Sequence, residues 1–220
     1  MKCIKLVFSL SVLLVALTLT SCLDSETSKR QYVSYVTVVE SQMALLSDDG
    51  YTLYPSDFSG FAGLERACVL YTLQDGYPVN EGSKVLHVDI DTSQSFGIYT
   101  KSIIQTSVPI DSLENKSLTD FNLFAANGYV TTYATFMYQN KAYFDLVRDL
   151  NKESNDTLYL KFNFNKGATD GYCSAYSYNS FRLPGDLRYD FSGKDSIVIA
   201  VSANVNSEAK NFYSNYKFNY

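Results

Sequence analysis

Cys22 is the residue whose chemistry the sequence specifies most directly. It ends the run Leu19-Thr20-Ser21-Cys22, which follows an apolar segment that begins at Leu6 and is preceded by two lysines. A positive start, a short apolar core and small residues before a cysteine are typical of a secretory signal and too short for a comfortable membrane span. The spacing is that of the bacterial lipobox. We therefore predict that residues 1–21 are removed as a signal peptide and that the Cys22 thiol carries a diacylglyceryl group.

A second group that could do chemistry is His87, Asp89 and Asp91, which lie at alternate positions of one segment. Alternate residues of a strand share a face, so an imidazole and two carboxylates could converge on a metal ion or polarise a water molecule. However, Cβ atoms two residues apart on a strand are about 7 Å apart, too far to hold one ion without ligands from elsewhere. The solvated face of a half-buried strand is the favoured interpretation, and no metal or cofactor is predicted.

Other signatures of catalysis do not occur in the sequence. His87 is the chain's one histidine, so any Ser-His-Asp or Cys-His arrangement must include it. There is no GxSxG, HExxH or Walker loop, although a pair of carboxylates of the glycosidase kind would leave no local signature. We predict no enzymatic activity and no catalytic residue. The alternative is an envelope hydrolase or metal-binding protein that uses His87, Asp89 and Asp91.

Tyrosines on the outward positions of predicted strands form the other candidate surface. Tyr143 and Tyr159, with Tyr213 as a neighbour, could form an exposed aromatic ladder for a protein or glycan partner. Such residues also occur as cross-strand packing pairs, which is the favoured interpretation. The predicted binding face therefore consists of His87, Asp89, Asp91, Tyr143 and Tyr159.

Composition limits the class of protein. Aromatic residues make up 15% of the chain, there is no Trp, and four prolines and eleven glycines argue against disorder. Removing residues 1–21 removes two lysines and no acid, so the net charge changes from −5 to −7. Residues 32–105 contain nine acids and three bases, whereas the rest of the chain is close to neutral. Because nucleic-acid binding relies on Lys and Arg, we predict no nucleic-acid partner.

The elements that must position these residues are strands. In the first half, the Asp48-Asp49-Gly50 turn supplies the positive φ that a tight hairpin needs, and residues 55–64 are predicted to be a loop with at most one short helical turn. About five strands with short connections predict a small OB-like barrel. This estimate comes from six patterned segments, residues 32–41, 43–46, 51–54, 67–74, 84–91 and 97–104.

The second half has better-patterned strands and no convincing helix, which predicts an antiparallel β-sandwich. Its segments are residues 129–139, 142–147, 157–164, 181–183, 197–205 and 212–220. The fold class is therefore all-β. The predicted organisation is a signal peptide (1–21), a tether (22–31), an OB-like barrel domain (32–105), a linker (106–120) and an antiparallel sandwich domain (121–220).

Two cysteines remain once Cys3 is removed with the signal and Cys22 is lipidated. Cys68 and Cys173 could pair in an oxidising compartment. Cys68 lies inside an apolar strand and fits equally well as a small buried residue. Their pairing is left open, because it depends on geometry.

The order of these features resembles a known family. The lipobox followed by SDDGYTLYP, LERACVLYTLQDG, KVLHVDID and IYTKSI is similar to the N-terminal OB-type domain of NigD-like lipoproteins of Gram-negative bacteria. The later runs GYVTTYATFMYQNKAYFDLVRDL, NDTLYLKFNFN and YNSFRLPGDL are similar to their C-terminal β-sandwich domain. The family is named for its association with a bacteriocin locus, and its molecular activity is unassigned. The resemblance therefore implies a fold and supplies no functional residues.

These observations together predict an outer-membrane lipoprotein of the cell envelope, attached to the membrane through Cys22, with a binding or accessory role. Which side of the outer membrane it faces is left open.

Overall fold

The structure is a computed structural model that describes residues 29–77, 82–106, 115–138, 141–150, 152, 154–165 and 173–218. The predicted signal peptide, the Cys22 lipidation site and most of the tether lie outside the described residues. Within the described part of the chain, no helix is both long and apolar enough to cross a membrane. Residues from Tyr32 onward form one compact unit.

Five strands of the first half close into a barrel. Their order is β1-β2-β3-β5-β4, and pairing of β1 with β4 closes the circle. The parallel pairing of β3 with β5 produces the OB arrangement, as predicted. A sixth strand of two residues, β6, extends the sheet at β4. The strands are β1 (Gln31–Val39), β2 (Ala44–Ser47), β3 (Thr52–Pro55), β4 (Arg66–Leu73), β5 (Val85–Ile90) and β6 (Phe96–Gly97).

The barrel interior follows from alternation along its strands. Val36, Leu45, Leu53 and Val88 are fully buried, because inward residues of each strand meet at the barrel axis. The predicted hairpin connects β2 to β3, and Gly50 has a φ of 82°. The predicted short helical turn is a 3-10 turn at Ser59–Phe61.

The remaining strands form two packed sheets. The first sandwich sheet has the order β7-β13-β10-β9, and the second sandwich sheet has the order β15-β14-β12-β11-β8. The described helix α1 is a single turn, Leu187–Asp190. The strands are β7 (Tyr99–Ser102), β8 (Ile104–Thr106), β9 (Asp120–Ala126), β10 (Tyr129–Tyr138), β11 (Tyr143–Asp149), β12 (Thr157–Asn165), β13 (Cys173–Arg182), β14 (Ser196–Val205) and β15 (Glu208–Lys217).

The sandwich core is rich in phenylalanine. Phe162 and Phe164 of β12 are fully buried. The Phe162 ring lies 4.8 Å from that of Phe121, and the Phe144 ring lies 5.3 Å from that of Phe164, measured between centroids. Ring pairs at these separations contribute beyond the area that they bury. The apolar residues at alternate positions of β12 therefore lie at the centre of the sandwich core.

The predicted all-β fold, a barrel followed by a sandwich rich in antiparallel pairs, is confirmed. Three pairings within the sandwich are parallel, namely β7 with β13, β8 with β11, and β12 with β14. In addition, the chain leaves the barrel sheet after Gly97, since β7 and β8 belong to the sandwich sheets. The predicted strand at 97–104 is thus divided among the barrel sheet and the two sandwich sheets. The point at which the chain passes from barrel to sandwich lies before the change in charge near residue 105.

The described end of the predicted linker is held by the sandwich. The Asn115 side chain donates to the carbonyl of Phe162 (3.0 Å) and accepts from the amide of Phe164 (2.9 Å). Leu118 is buried and bridges to Val205. Residues 115–118 look like a polar linker in the sequence. In the structure, the polar side chain of Asn115 instead bonds to the backbone of β12, which is distant along the chain.

A buried arginine of the barrel hydrogen-bonds to the sandwich. The Arg66 side chain is fully buried and donates to both carboxylate oxygens of Asp48 at 2.7 and 2.6 Å. It also donates to the hydroxyls of Thr37 in β1 (2.9 Å) and Thr131 in β10 (3.1 Å). The guanidinium therefore links strands of the barrel to the first sandwich sheet.

Candidate functional site

The structure separates the predicted binding face into two regions. His87 and Asp89 lie on β5 of the barrel, and Asp91 follows that strand, whereas Tyr143 and Tyr159 lie in the second sandwich sheet. Alternation on β5 turns Leu86 and Val88 inward, so His87 is on the outer surface. The five residues thus do not share one surface.

Aromatic contacts surround His87. Its ring stacks on that of Tyr77 with centroids 4.0 Å apart, and on that of Tyr54 with centroids 5.7 Å apart. The Asp91 carboxylate accepts from the amide (3.0 Å) and hydroxyl (2.6 Å) of Ser93, and these hydrogen bonds hold the pKa of Asp91 below its ordinary value. Among the described residues, no group of three His, Cys, Asp or Glu side chains could hold a metal ion. The imidazole packs against two aromatic rings, and Asp91 stabilises the turn after the strand.

The register of the second sandwich sheet brings two tyrosines into one row. Tyr159 of β12 pairs with Ala200 of β14, and Ala200 pairs with Tyr213 of β15. Tyr143 pairs with Asn165, six residues along β12 from Tyr159, which corresponds to about 20 Å. The expected ladder is therefore a pair, Tyr159 and Tyr213, and Tyr143 stands apart from it.

A cleft of about 170 Å³ lies between these two tyrosines. Strands two apart in a sheet are separated by about 9.6 Å, and the small side chain of Ala200 leaves the space between the rings open. The next row on the same face is formed by Lys161, Ser202 and Asn211, which also line the cleft. We call this site the tyrosine cleft.

Charged side chains border the tyrosine cleft. Asp149 and Lys161 are nearly buried, with 6% and 9% of their surfaces exposed, and Lys152 is exposed at the edge. Tyr159 also lines a neighbouring cleft of about 480 Å³, where Arg148 forms an ion pair of 2.8 Å with Asp190 of α1. The two clefts together present aromatic faces beside hydrogen-bonding groups of both charges.

The chemistry available in the tyrosine cleft is that of binding. Two aromatic side chains can enclose a flat ring, while ammonium, hydroxyl and amide groups can hydrogen-bond its edge. The chain's one histidine lies on the barrel, so the cleft contains no imidazole base. The arrangement can therefore hold a polar ring and has no histidine to activate a nucleophile.

Solved structures share the fold of this chain. The described strands match a NigD-like immunity protein from Bacteroides caccae with a TM-score of 0.53 and 16% identity, over 84% of this chain and 91% of that one. The predicted NigD-like fold is confirmed. No protein-family profile matches the sequence, and no curated protein matches it either.

Two further solved structures match the fold of this chain. A protein of unknown function from Bacteroides vulgatus matches with a TM-score of 0.64 and 17% identity, over 87% of this chain and 91% of that one. A candidate lipoprotein from Bacteroides fragilis matches with a TM-score of 0.60 and 12% identity, over 86% of this chain and 99% of that one. Identities this low establish the fold, and function has to be argued from the residues of this chain.

Sequence reasoning identified Tyr159 and Tyr213 but missed the rest of the cleft. The alternation of β12 already places Lys161 on the face of Tyr159. Ala200, Ser202 and Asn211 have no such signal, because they reach the site through the parallel pairing of β12 with β14 and the register of β15. In this NigD-like fold the site is assembled by pairing between strands.

The two remaining cysteines are free thiols. Cys68 is buried in β4, and burial raises the pKa of its thiol. Cys173 is exposed at the start of β13. The disulfide that the sequence left open is not formed in this structure.

Proposed function

We propose that this chain is a lipid-anchored protein of the outer membrane that binds an envelope glycan through the tyrosine cleft and has no catalytic role. The observation that carries the proposal is the placement of Tyr159 and Tyr213 on either side of Ala200. It combines two aromatic side chains with polar groups beside them, a combination that suits a sugar ring.

A sugar ring suits both parts of the cleft. Its C–H face packs on a tyrosine ring, and its hydroxyl groups can bond to Lys161, Ser202 and Asn211. The cleft volume of about 170 Å³ is below the roughly 300–1,000 Å³ of sites that enclose a drug-sized ligand. One ring would therefore occupy the cleft, and the neighbouring units of a longer glycan would extend into the adjoining cleft beside Arg148.

The test is calorimetric titration of the protein with soluble fragments of envelope polysaccharides and of peptidoglycan. Tyr159→Ala and Tyr213→Ala should each weaken binding about tenfold or more, because each removes an aromatic contact at the centre of the site. A tenfold loss of affinity corresponds to about 1.4 kcal/mol of binding free energy. Tyr143→Ala is the matched control, because Tyr143 is exposed on the same sheet but outside the cleft. Its affinity should stay close to that of the wild type.

Two results would refute the glycan assignment. Unchanged affinity of both Tyr159→Ala and Tyr213→Ala for the glycan would show that the glycan binds outside the tyrosine cleft. If no glycan binds and the same two variants instead lose an envelope protein partner, the cleft is a protein-binding site.

The anchor rests on the sequence run that ends in Cys22, and the fold shared with a candidate lipoprotein supports it. Metabolic labelling with palmitate and mass spectrometry of the mature N-terminus should detect an acylated Cys22. Cys22→Ser should abolish both signals, and an unmodified Cys22 thiol in the wild type would contradict the anchor. Protease shaving of intact cells would then show which side of the membrane the domains face.

The contacts of His87 support a non-catalytic role. Its imidazole stacks with the rings of Tyr54 and Tyr77, so aromatic packing accounts for its position on the barrel. Loss of turnover of a chromogenic substrate in His87→Ala would overturn this part of the proposal.

A further inference from the structure

One end of the barrel carries exposed apolar and aromatic side chains from three separate parts of the chain. The first residues of β1, the turn between β2 and β3, and the first residues of β5 meet at this end. They surround an open pocket of about 340 Å³ whose inner wall includes Tyr32, Ser34, Tyr71 and Leu86. We call this end the barrel mouth.

The rim of the barrel mouth is apolar and aromatic. Val33 and Tyr51 line the pocket and are 62% and 40% exposed. Val85, which pairs with Thr52 next to Tyr51, is 45% exposed. Aliphatic side chains and tyrosines that remain exposed together at one edge are suited to a boundary between water and hydrocarbon.

Two charged residues also lie at the rim of the barrel mouth. Asp49 lines the pocket, and the Lys84 ammonium lies close to the turn, 3.6 Å from where a side chain at Gly50 would begin. Lysine places its apolar stem along hydrocarbon while its ammonium stays at the headgroups. A lysine beside valines and a tyrosine is therefore compatible with a lipid surface.

The chain geometry selects the lipid surface as the occupant of this end. Cys22 precedes Tyr32, a residue of the barrel mouth, by ten positions. Ten residues of fully extended chain span at most about 36 Å, which limits how far Tyr32 can lie from Cys22. A short tether keeps the barrel at a high effective concentration next to the membrane, so even a weak contact between the barrel and the lipid is populated.

We propose that the barrel mouth is a membrane-contact surface, with Val33, Tyr51 and Val85 inserted among the lipid headgroups. The inference rests on the proposed lipidation of Cys22 and is independent of the glycan assignment. It gives the barrel a second attachment to the membrane besides the lipid, and so a defined orientation on it.

The absence of Trp from the sequence permits a direct test. Tyr51→Trp places a single fluorophore at the barrel mouth of the full, lipidated protein. Tyr189→Trp, at an 85% exposed position of α1 in the sandwich, is the matched control. Both proteins are reconstituted in phosphatidylcholine vesicles with and without brominated acyl chains, and flotation measures attachment separately.

The expected result is flotation of both proteins, with indole fluorescence quenched by at least about twofold in Tyr51→Trp and little changed in Tyr189→Trp. Val33→Asp, combined with Tyr51→Trp, should reduce the quenching while flotation persists. Flotation of Tyr51→Trp without quenching, or equal quenching in the two proteins, would overturn the membrane-contact surface and leave the anchor standing. Loss of flotation in all variants would overturn the anchor, and the inference with it.

Discussion

Asp48→Ala is the substitution with the largest effect that we expect on stability. Asp48 accepts two short hydrogen bonds from Arg66, whose side chain has no exposed surface, while the Asp48 side chain is 12% exposed. The substitution leaves the guanidinium with the hydroxyls of Thr37 and Thr131 and without a counter-charge there. Among the described residues, the Arg66 Nε already lacks a hydrogen-bond partner.

The magnitude follows from the loss of one partner of a buried ion pair. Such a loss destabilises a protein by about 3–5 kcal/mol, because the remaining charge stays buried without compensation. For a chain of this size, each kcal/mol lowers the melting temperature by about 2–4 °C, so the expected change is about 6–20 °C. This is a large part of the stability of a typical domain, about 5–15 kcal/mol.

Urea denaturation followed by circular dichroism measures the change. The matched control is Asp145→Ala, which removes an ion pair with Lys101 whose side chains are 33% and 29% exposed and which should contribute at most about 1 kcal/mol. Replacement of both members, Arg66→Met with Asp48→Leu, should recover much of the stability lost in Asp48→Ala. A change below about 1 kcal/mol in Asp48→Ala would refute the reasoning, since it would mean that water reaches Arg66.

Three further predictions concern pH, packing and thiols. The Arg182 guanidinium holds the pKa of Glu65 below its ordinary value of 4.5, so this pair stabilises the fold above that pH and its contribution is lost as the pH falls through the lowered pKa. Glu65→Gln should flatten the fall in stability below about pH 4.5, by at most about 1 kcal/mol because Glu65 is 39% exposed; an unchanged acid profile would contradict this. Phe162→Ala should destabilise the sandwich by about 3–5 kcal/mol in urea denaturation, because Phe162 is fully buried. In thiol titration without reductant, Cys173 should react in the native protein and Cys68 only after unfolding; finding neither thiol in denaturant would indicate a disulfide.

The local elements of the fold are predictable from the sequence. The hairpin at Asp48-Asp49-Gly50 and the strand around Phe162 are specified by neighbouring residues, through a positive φ in one case and alternation in the other. The same run shows the limit of local reasoning. Asp48 is identifiable as a turn residue, but its role as the partner of Arg66 depends on a contact 18 positions along the chain.

The parallel pairings are the part of the fold that the sequence does not reveal. Strands β12 and β14 each alternate in the way that fits either direction of pairing. Only the connection between them decides the direction, and that connection passes through β13 and α1. Because the tyrosine cleft is built on this pairing, its floor could not be derived from periodicity, whereas the outward position of Tyr159 could.

The charge of the barrel surface agrees with what composition indicates. Residues 32–105 contain three bases, Arg66, Lys84 and Lys101. Arg66 is buried against Asp48, and Lys101 is paired at 2.7 Å with Asp145 of the sandwich. Arg66 and Asp48 cancel each other, and Glu65 is paired with Arg182 of the sandwich just as Lys101 is paired with Asp145, so the barrel surface stays as acidic as the residue count implies. The third base, Lys84, lies at the barrel mouth. On a membrane with anionic lipids, repulsion would disfavour the other orientations of the barrel, and the mouth would become the preferred point of contact.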